Sequence, residues 1–446
     1  MPDSTLPLQN GPLAWGRTLH AAYHLFSLHD RSASLPDLSP CLPFGNGRSY
    51  GDVALNPNGT LLLTRGLDRF IRFDPIAGIL ECEAGVLLDD ILTLIVPHGW
   101  FLPVTPGTRF VTVGGAIAND VHGKNHHRLG CFSRHVLNLE LLRSTGERFT
   151  CSPDEKSEWF AASCGGLGLT GLITQATLKL RPIHNPWMLG FQTRFEGLDD
   201  FFELSHQADT DYEYSVAWVD CAALGRRLGR GIFMAANHAP ADFKPRTPPP
   251  PQHTLPFPFT PPFSLVTPLT LRAFNTAYFH RIPAGQQPLL QHFQPFFYPL
   301  DGLLNWNRLY GPRGFHQYQC VLPDTPKRSA QAAIAALLDT ISKSGQGSFL
   351  AVLKICGDIP SPATLSFPQP GISLALDFPE RGAQLSALFE RLDAEVAYQG
   401  GRLYPAKDSR MPASLFQSGY PNWKSLEHYR DPAFSSAFWQ RVSSPS

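Results

Sequence analysis

Apolar residues at Leu87, Leu88, Ile91, Leu92 and Ile95 recur at helical spacing, with Asp89 and Asp90 left on the wet side. A strand is expected just before them at Ile79–Ala84, and Pro97 with His98-Gly99 stops the helix. Trp100–Val104 reads as another strand and Pro106-Gly107 as a turn. Val136–Leu142 and Arg148–Cys151 flank Ser144-Thr145-Gly146-Glu147, the signal of a hairpin. Ser152-Pro153-Asp154-Glu155 has the form of a capping box and is expected to start a helix through Trp159 and Phe160. Leu172–Leu180 alternates as a strand does.

From Phe315 the pattern changes. Strand Phe315–Val321 precedes a helix carrying Ile334, Leu337, Leu338 and Ile341 on one face. Strands follow at Phe349–Ile355 and Ile372–Phe378, then a helix from Leu385 to Tyr398 that ends at Gly400-Gly401, then a last strand at Arg402–Tyr404. This βαββαβ order resembles a ferredoxin-like unit, so the N-terminal third and the C-terminal half read as different domains in an α+β chain. No internal repeat is evident in the sequence. Between them, Pro240–Pro268 holds Pro248–Pro251 and Pro261-Pro262 interleaved with Phe257, Phe259 and Phe263. It cannot form a central strand or an ordinary helix; it reads either as a surface loop of polyproline character or as a lid over a binding site.

Composition narrows the function classes. Lys+Arg and Asp+Glu are 37 each in 446 residues, so no basic field holds nucleic acid. Hydrophobics at 43% allow a large core. The N-terminus lacks a basic stretch followed by an apolar one, so no secretory signal is expected. The longest apolar stretch, Val86–Val104, is interrupted by Asp89, Asp90, Pro97 and His98, so no membrane-spanning helix is expected and a cytoplasmic location is. The eight cysteines never approach CxxC spacing, which points to free buried thiols.

Three glycine-rich stretches carry the chemistry: Gly45–Asp52, Pro106–Lys124 and Gly165–Gly171. Without a Cβ, glycine lets backbone N–H groups converge on a phosphate, and three such stretches suggest a ligand with an extended diphosphate. Gly166-x-Gly168-x-x-Gly171 matches the dinucleotide fingerprint formally. However, a helix precedes it and a strand follows, the reverse of the Rossmann context, so it reads as a tight turn. His122, His126, His127 and Cys131 fit no common zinc spacing, and no metal is expected.

GNGRSYGD, VTPGTRFVTVGGAIANDVHGKNHH and CGGLGLTGLI resemble the FAD-binding (PCMH-type) domain of the vanillyl-alcohol-oxidase superfamily. FHQYQCVLP, LSFPQPGISLALDFP and GGRLYPAKDSR narrow the resemblance to its decaprenylphosphoryl-ribose 2′-oxidase family, from about Trp15 to Asp431. The resemblance implies a two-subdomain FAD-binding domain over 1–183. It further implies a substrate domain with an antiparallel sheet over 184–395, and a segment returning to the FAD site over 396–446. By motif it places FAD, held without a covalent bond, against Pro43, Phe44, Gly45, Asn46, Gly47, Arg48, Ser49, Tyr50, Gly51, Asp52 and Val53. The same motifs add Gly107, Thr112, Val113, Gly114, Gly115, Asn119, Asp120, Val121, His122, Ile173 and Tyr404.

Oxidation of an alcohol by flavin needs a proton acceptor near the hydroxyl and positive charge near the pyrimidine end of the ring. The resemblance assigns the charge and substrate binding to Lys407. It sets Tyr50, His122, Lys124, Gln319 and Lys354 around the pocket, with Lys124 or Lys354 available to a substrate phosphate. Which of them takes the proton stays open. Trp218, Trp306 and Tyr310 are either core or stacking surfaces for a sugar or lipid. The implied activity is oxidation of the ribose 2′-hydroxyl of a polyprenyl-phosphate sugar to the 2′-keto sugar, the first half of an epimerisation to the arabinose donor of cell-wall polysaccharide. A separate short-chain NAD(P)H reductase completes it, and contact with the membrane is at most peripheral.

Two departures from the family stand out. Ala375 occupies the place of a reactive pocket cysteine, and Ser373 that of a neighbouring asparagine. A sugar-alcohol or aldonolactone oxidase is the enzymatic rival, weakened by the lack of an HWGK-type motif. A flavin-binding subunit that has lost its chemistry is the other.

Overall fold

Two sheets form first along the chain of the computed structural model, which describes residues 7–36, 39–245 and 254–444. In the first, Leu8–Asn10, Ala22–Ser27, Thr60–Leu63 and Cys41–Phe44 lie side by side, with Thr60–Leu63 parallel to both its neighbours. The second is antiparallel, in the order Phe70–Asp74, Ile79–Glu83, Leu172–Lys179, Val136–Leu142, Arg148–Cys151. Helix Leu88–Ile95 buries Leu88, Ile91, Leu92 and Ile95 in the core of this second sheet, as its spacing requires.

Local chemistry changes two expected elements and adds one. The strand at Trp100 is only two residues long, because its partner is the short Arg181–Pro182 segment and Pro103 has no N–H to continue a ladder. The helix expected from Ser152 begins at Ser157. Ser152 Oγ instead accepts the N–H groups of Asp154 and Glu155 at 3.2 and 2.9 Å, closing a turn, and Lys156 follows at φ 49°. Within the second glycine-rich stretch, Val113–Ala118 is helical, with Thr112 Oγ1 accepting the Gly115 N–H at 3.1 Å as the cap.

Beyond residue 183 the chain builds one eight-stranded antiparallel sheet from two βαββαβ units. The first comprises β1 (Trp187–Phe195), α1 (Leu198–Asp211), β2 (Tyr214–Val219), β3 (Gly231–His238), α2 (Pro268–His280) and β4 (Gln287–His292). The second comprises β5 (Phe315–Leu322), α3 (Ala330–Ser344), β6 (Ala351–Cys356), β7 (Gly371–Pro379), α4 (Ala383–Tyr398) and β8 (Arg402–Leu403). The strand order β4-β1-β3-β2-β6-β7-β5-β8 is the same arrangement twice, joined where Ala217 pairs with Leu353 and Trp218 with Val352. The chain therefore does carry an internal repeat, in topology. It escapes the sequence because a fold repeat needs only matching apolar periods, not matching residues.

The strands alternate strictly. Phe191, Ala217, Phe233, Leu353, Leu374, Leu376, Tyr318 and Cys320 join the core shared with α1, α3 and α4. The opposite face presents Gln192, Val216, Trp218, Met234, Val352, Lys354, Ser373, Ala375, Asp377, Gln317 and Gln319 to a cavity. Helix α2 departs from the repeat. Its Phe279 packs with Trp218 and Ile232, on the cavity side, and the long β3–α2 connection through the proline-rich segment carries it there. Of that segment, Pro248–Pro251 lies outside the described residues, while Leu255–Pro256 pairs in parallel with Leu303–Leu304.

The division expected at 395 falls inside α4, and β8 still belongs to the large sheet. After Leu403 the chain turns back to the N-terminal sheets. Asp431 accepts from Ser144 N and Oγ at 2.8 and 2.5 Å, and Arg441 pairs with Asp52 at 2.8 Å. All eight cysteines are buried and free.

Candidate active site

A cavity of about 940 Å³ opens between the N-terminal sheets and the bare face of the large sheet. Of the residues expected to hold the cofactor, Pro43, Gly45, Asn46, Gly47, Arg48, Ser49, Tyr50, Val53, Gly107, Thr112, Gly114, Gly115, Asn119, Val121, His122, Ile173 and Tyr404 line it. Phe44, Gly51, Asp52, Val113 and Asp120 do not, and each has another occupation. Phe44 and Val113 are core. A Cβ on Gly51 would lie 1.6 Å from the Asp408 carbonyl oxygen, so glycine is required there for close approach of two backbones. Asp52 pairs with Arg441. Asp120 is fully buried and accepts from Ser133 N and from Ser133, Ser361 and Ser366 hydroxyls.

The cradle fits a large polar ligand. Three buried polar atoms on its wall, Arg48 Nε, Asn119 Oδ1 and His122 Nδ1, have no protein partner, and buried polar groups ordinarily find one. A Cβ on Gly107 would meet nothing within 4 Å, so that backbone faces open space. Arg48 stacks 4.2 Å over Trp15, which holds its cation at the cavity edge. The residues present therefore suit the diphosphate and ring of FAD.

Where this cradle meets the bare sheet, four basic side chains line the same cavity. Lys407 lies 3.8 Å over the Tyr50 ring. Lys124 donates to the Phe297 carbonyl at 3.1 Å and Lys354 to the Gly123 carbonyl at 3.2 Å. Burial lowers all three; Lys124 and Lys407 fall to about 7, with Lys354 lowering each further and Asp377 opposing the fall at Lys407. His122 is held neutral by burial and by Lys354. Its Nε2 lies 3.1 Å from Gln319 Nε2, so the neutral ring accepts the amide proton there and carries its own proton at Nδ1.

Residue type alone does not mark Asp377, yet it lines this wall. Burial raises it to about 7, while Gln317 Nε2 donates to it at 2.7 Å and the Tyr310 hydroxyl at 3.3 Å. The signal was a lone carboxylate inside the apolar run ISLALDF. Trp218 and Trp306 line the cavity; Tyr310 sits behind it, stacked 4.1 Å on Phe315. His126, His127 and Cys131 do not line it, and His127 instead faces Asp209 at 3.6 Å. Phe367, also unforeseen, stacks 4.6 Å on Tyr404 and lies 5.3 Å from His122.

A family model described as FAD binding domain matches residues 38–152. Over 96% of this chain and 96% of the relative, the sequence is 34% identical to the decaprenylphosphoryl-beta-D-ribose oxidase of Mycolicibacterium smegmatis. The chain belongs to the decaprenylphosphoryl-β-D-ribose oxidase family. A Streptomyces coelicolor protein described as the uncharacterized protein in mprA 5'region is also 34% identical, over 80% of this chain and all of that one. Cytokinin dehydrogenase 7 of Oryza sativa subsp. japonica matches at 34% over only 34% of this chain and 30% of its own. That partial match is confined to a fraction of the length that the oxidase family shares throughout. The protein is thus an FAD-dependent oxidoreductase of this oxidase family. Among the described residues no helix is long and apolar enough to cross a membrane.

Proposed function

We propose that the protein oxidises the ribose 2′-hydroxyl of a polyprenyl-phosphate-linked ribose to the 2′-keto sugar. The observation that carries this reading is the junction of two environments in one cavity: a polar, glycine-rich cradle with unpartnered donors, and a wall where Lys407, Lys124, Lys354 and His122 meet aromatic surface. FAD, when bound, supplies the acceptor for the hydride equivalent removed from the alcohol carbon.

The chain's own residues do the rest. Gly45–Tyr50, Thr112, Gly114, Gly115, Asn119, His122, Ile173 and Tyr404 would hold the cofactor without a covalent bond. Lys407 would place positive charge where negative charge develops, and its position over Tyr50 would orient the reacting hydroxyl. Lys124 and Lys354 would meet the substrate phosphate, their cations favoured once an anion enters this dry site. Trp218, Leu289, Leu290, Phe296 and Leu350 offer an apolar run for the lipid. The keto sugar would then be reduced by a separate short-chain NAD(P)H enzyme, completing an epimerisation.

Anaerobic titration of the FAD-loaded protein tests this. Polyprenyl-phosphoryl ribose should bleach the flavin band, and free ribose, polyols and aldonolactones should leave it intact. Bleaching by lactones or polyols alone would transfer the assignment to a soluble-substrate oxidase. A flavin reduced by none of these would leave a binding subunit.

A further inference from the structure

Between Asp242 and Asp301 the sequence contains no aspartate or glutamate, in a chain that carries 37 of them. The same stretch supplies seven of the thirteen large apolar side chains exposed among the described residues, including Leu255 at 68%, Phe259 at 61%, Phe263 at 66% and Leu269 at 78%. Elsewhere such side chains stand singly, which is ordinary for a protein surface; a cluster is not. Exposed Lys244, Arg272 and Arg281 accompany them, and among the described residues neither Arg272 nor Arg281 has an ion-pair partner.

The cluster is built rather than frayed. Thr267 and Pro268 cap α2, the Thr267 Oγ1 accepting from Thr270 N at 3.2 Å, and Thr270 Oγ1 donates back to the Leu265 carbonyl at 2.7 Å. Arg308 donates to the Phe257 carbonyl at 3.1 Å and Arg17 to Thr260 Oγ1 at 3.3 Å, so two cations rather than carboxylates lace the strap down. Helix α2 has left the helix layer of its repeat to stand here, and its other side reaches the cavity through Tyr278. Leu255–Pro256 likewise pairs with Leu303–Leu304, which line the cavity wall. The segments that expose these apolar side chains and cations therefore also contribute to, or pair with, the cavity wall.

We propose that α2 and the strap from Leu255 to Leu265 form a docking face for an anionic lipid bilayer, which lets a lipid-linked ligand enter the cavity directly from the membrane. Apolar side chains would enter the headgroup boundary while Arg272 and its neighbours meet anionic headgroups; the uninterrupted lack of carboxylates is what such a surface demands and what a protein partner does not. The passage of substrate rests on the function proposed above; the docking itself does not.

Cosedimentation of the full-length, FAD-loaded protein with vesicles tests it. The protein should pellet with phosphatidylcholine vesicles containing phosphatidylglycerol, less with phosphatidylcholine alone, and less again as salt rises. Leu269→Asp and Arg272→Glu should each lower the partition about tenfold, given the weight of one charge near an anionic surface. Both should keep the flavin spectrum of the wild type, and turnover of a short-chain soluble phosphoryl ribose should not change. Failure of the wild type to pellet with the anionic vesicles, or equal binding by both variants, would overturn the proposal. So would a concentration-dependent dimer in sedimentation velocity that Leu269→Asp abolishes, because the patch would then cover a second copy. Loss of the substrate assignment alone would show as an unreduced flavin with vesicle binding intact.

Discussion

The ammonium of Lys407 rests 3.8 Å above the ring of Tyr50, although one comes from the C-terminal tail and the other from the first glycine-rich stretch. Backbone contacts lock the two together. The Tyr50 N–H donates to the Ala406 carbonyl at 2.9 Å, the Lys407 N–H donates to the Tyr404 carbonyl at 2.9 Å, and Gly51 lets the Asp408 carbonyl approach. The position of this cation is thus set by main chain, and removing the side chain should leave the wall standing.

Lys407→Ala is accordingly expected to retain FAD and to slow flavin reduction by substrate at least about 100-fold, the scale on which one preorganised electrostatic group acts. Anaerobic stopped-flow absorbance measures it. A variant that reduces its flavin at the wild-type rate removes Lys407 from the reaction.

The same lysine should give the rate an alkaline limb. Lys407 is lowered to about 7, so its cation is present below that value and lost as pH rises through it. The Asp377 carboxylate favours the cation, so Asp377→Asn leaves burial and Lys354 unopposed and should move the limb to lower pH. The readout is the pH profile of kcat/KM for flavin reduction. A limb that stays in place, or moves to higher pH, contradicts the coupling.

His122 offers a check on how the cofactor is held. The ring is kept neutral, and its Nε2 is engaged with Gln319. Acid precipitation of the loaded protein should release the flavin quantitatively into the supernatant. Colour that stays with the pellet would show a covalent tether.

The contrast between Lys407 and Asp377 shows how far the sequence could be read. Lys407 is legible because AKDSR is a motif; Asp377 is legible only once β7 is known to turn Ser373, Ala375 and Asp377 toward one face. The second βαββαβ unit reads cleanly because its helices carry apolar stripes bounded by glycine. The first does not, since the proline-rich β3–α2 connection displaces α2 and breaks the rhythm. Helix Val113–Ala118 was hidden for a different reason: VGGAIA has poor intrinsic helix propensity, and a threonine cap with tertiary packing overrides it. Asp120 sits in the glycine-rich motif but turns away from the cavity to four donors supplied by residues from 133 to 366, a long-range arrangement that no local pattern reports.

Ala375 lies opposite Gln319 in the β5–β7 pairing and lines the cavity. With no thiol there, nitroaromatic inhibitors that capture the pocket cysteine of the resembled enzymes should not form an adduct with this protein. Ala375→Cys should restore a covalent mass increase after turnover with such a compound, read by intact-protein mass spectrometry. An adduct on the unaltered protein would place a reactive thiol elsewhere in the site.

Asp120 separates a structural role from a cofactor contact. Its carboxylate accepts from Ser133 on the N-terminal side and from Ser361 and Ser366 in the β6–β7 connection, each hydroxyl at 2.6 Å. That connection carries Phe367, which stacks on Tyr404 and packs beside His122, so the carboxylate ties one wall of the site to the other. Asp120→Ala leaves buried donors without an acceptor and should cost about 2 to 4 kcal/mol. The loss should appear as a lowered Tm in the cofactor-free protein, where a cofactor contact would contribute nothing. FAD binding should weaken only secondarily, as the Phe367 wall loosens. An unchanged apoprotein Tm together with sharply weakened FAD affinity would return Asp120 to the cofactor.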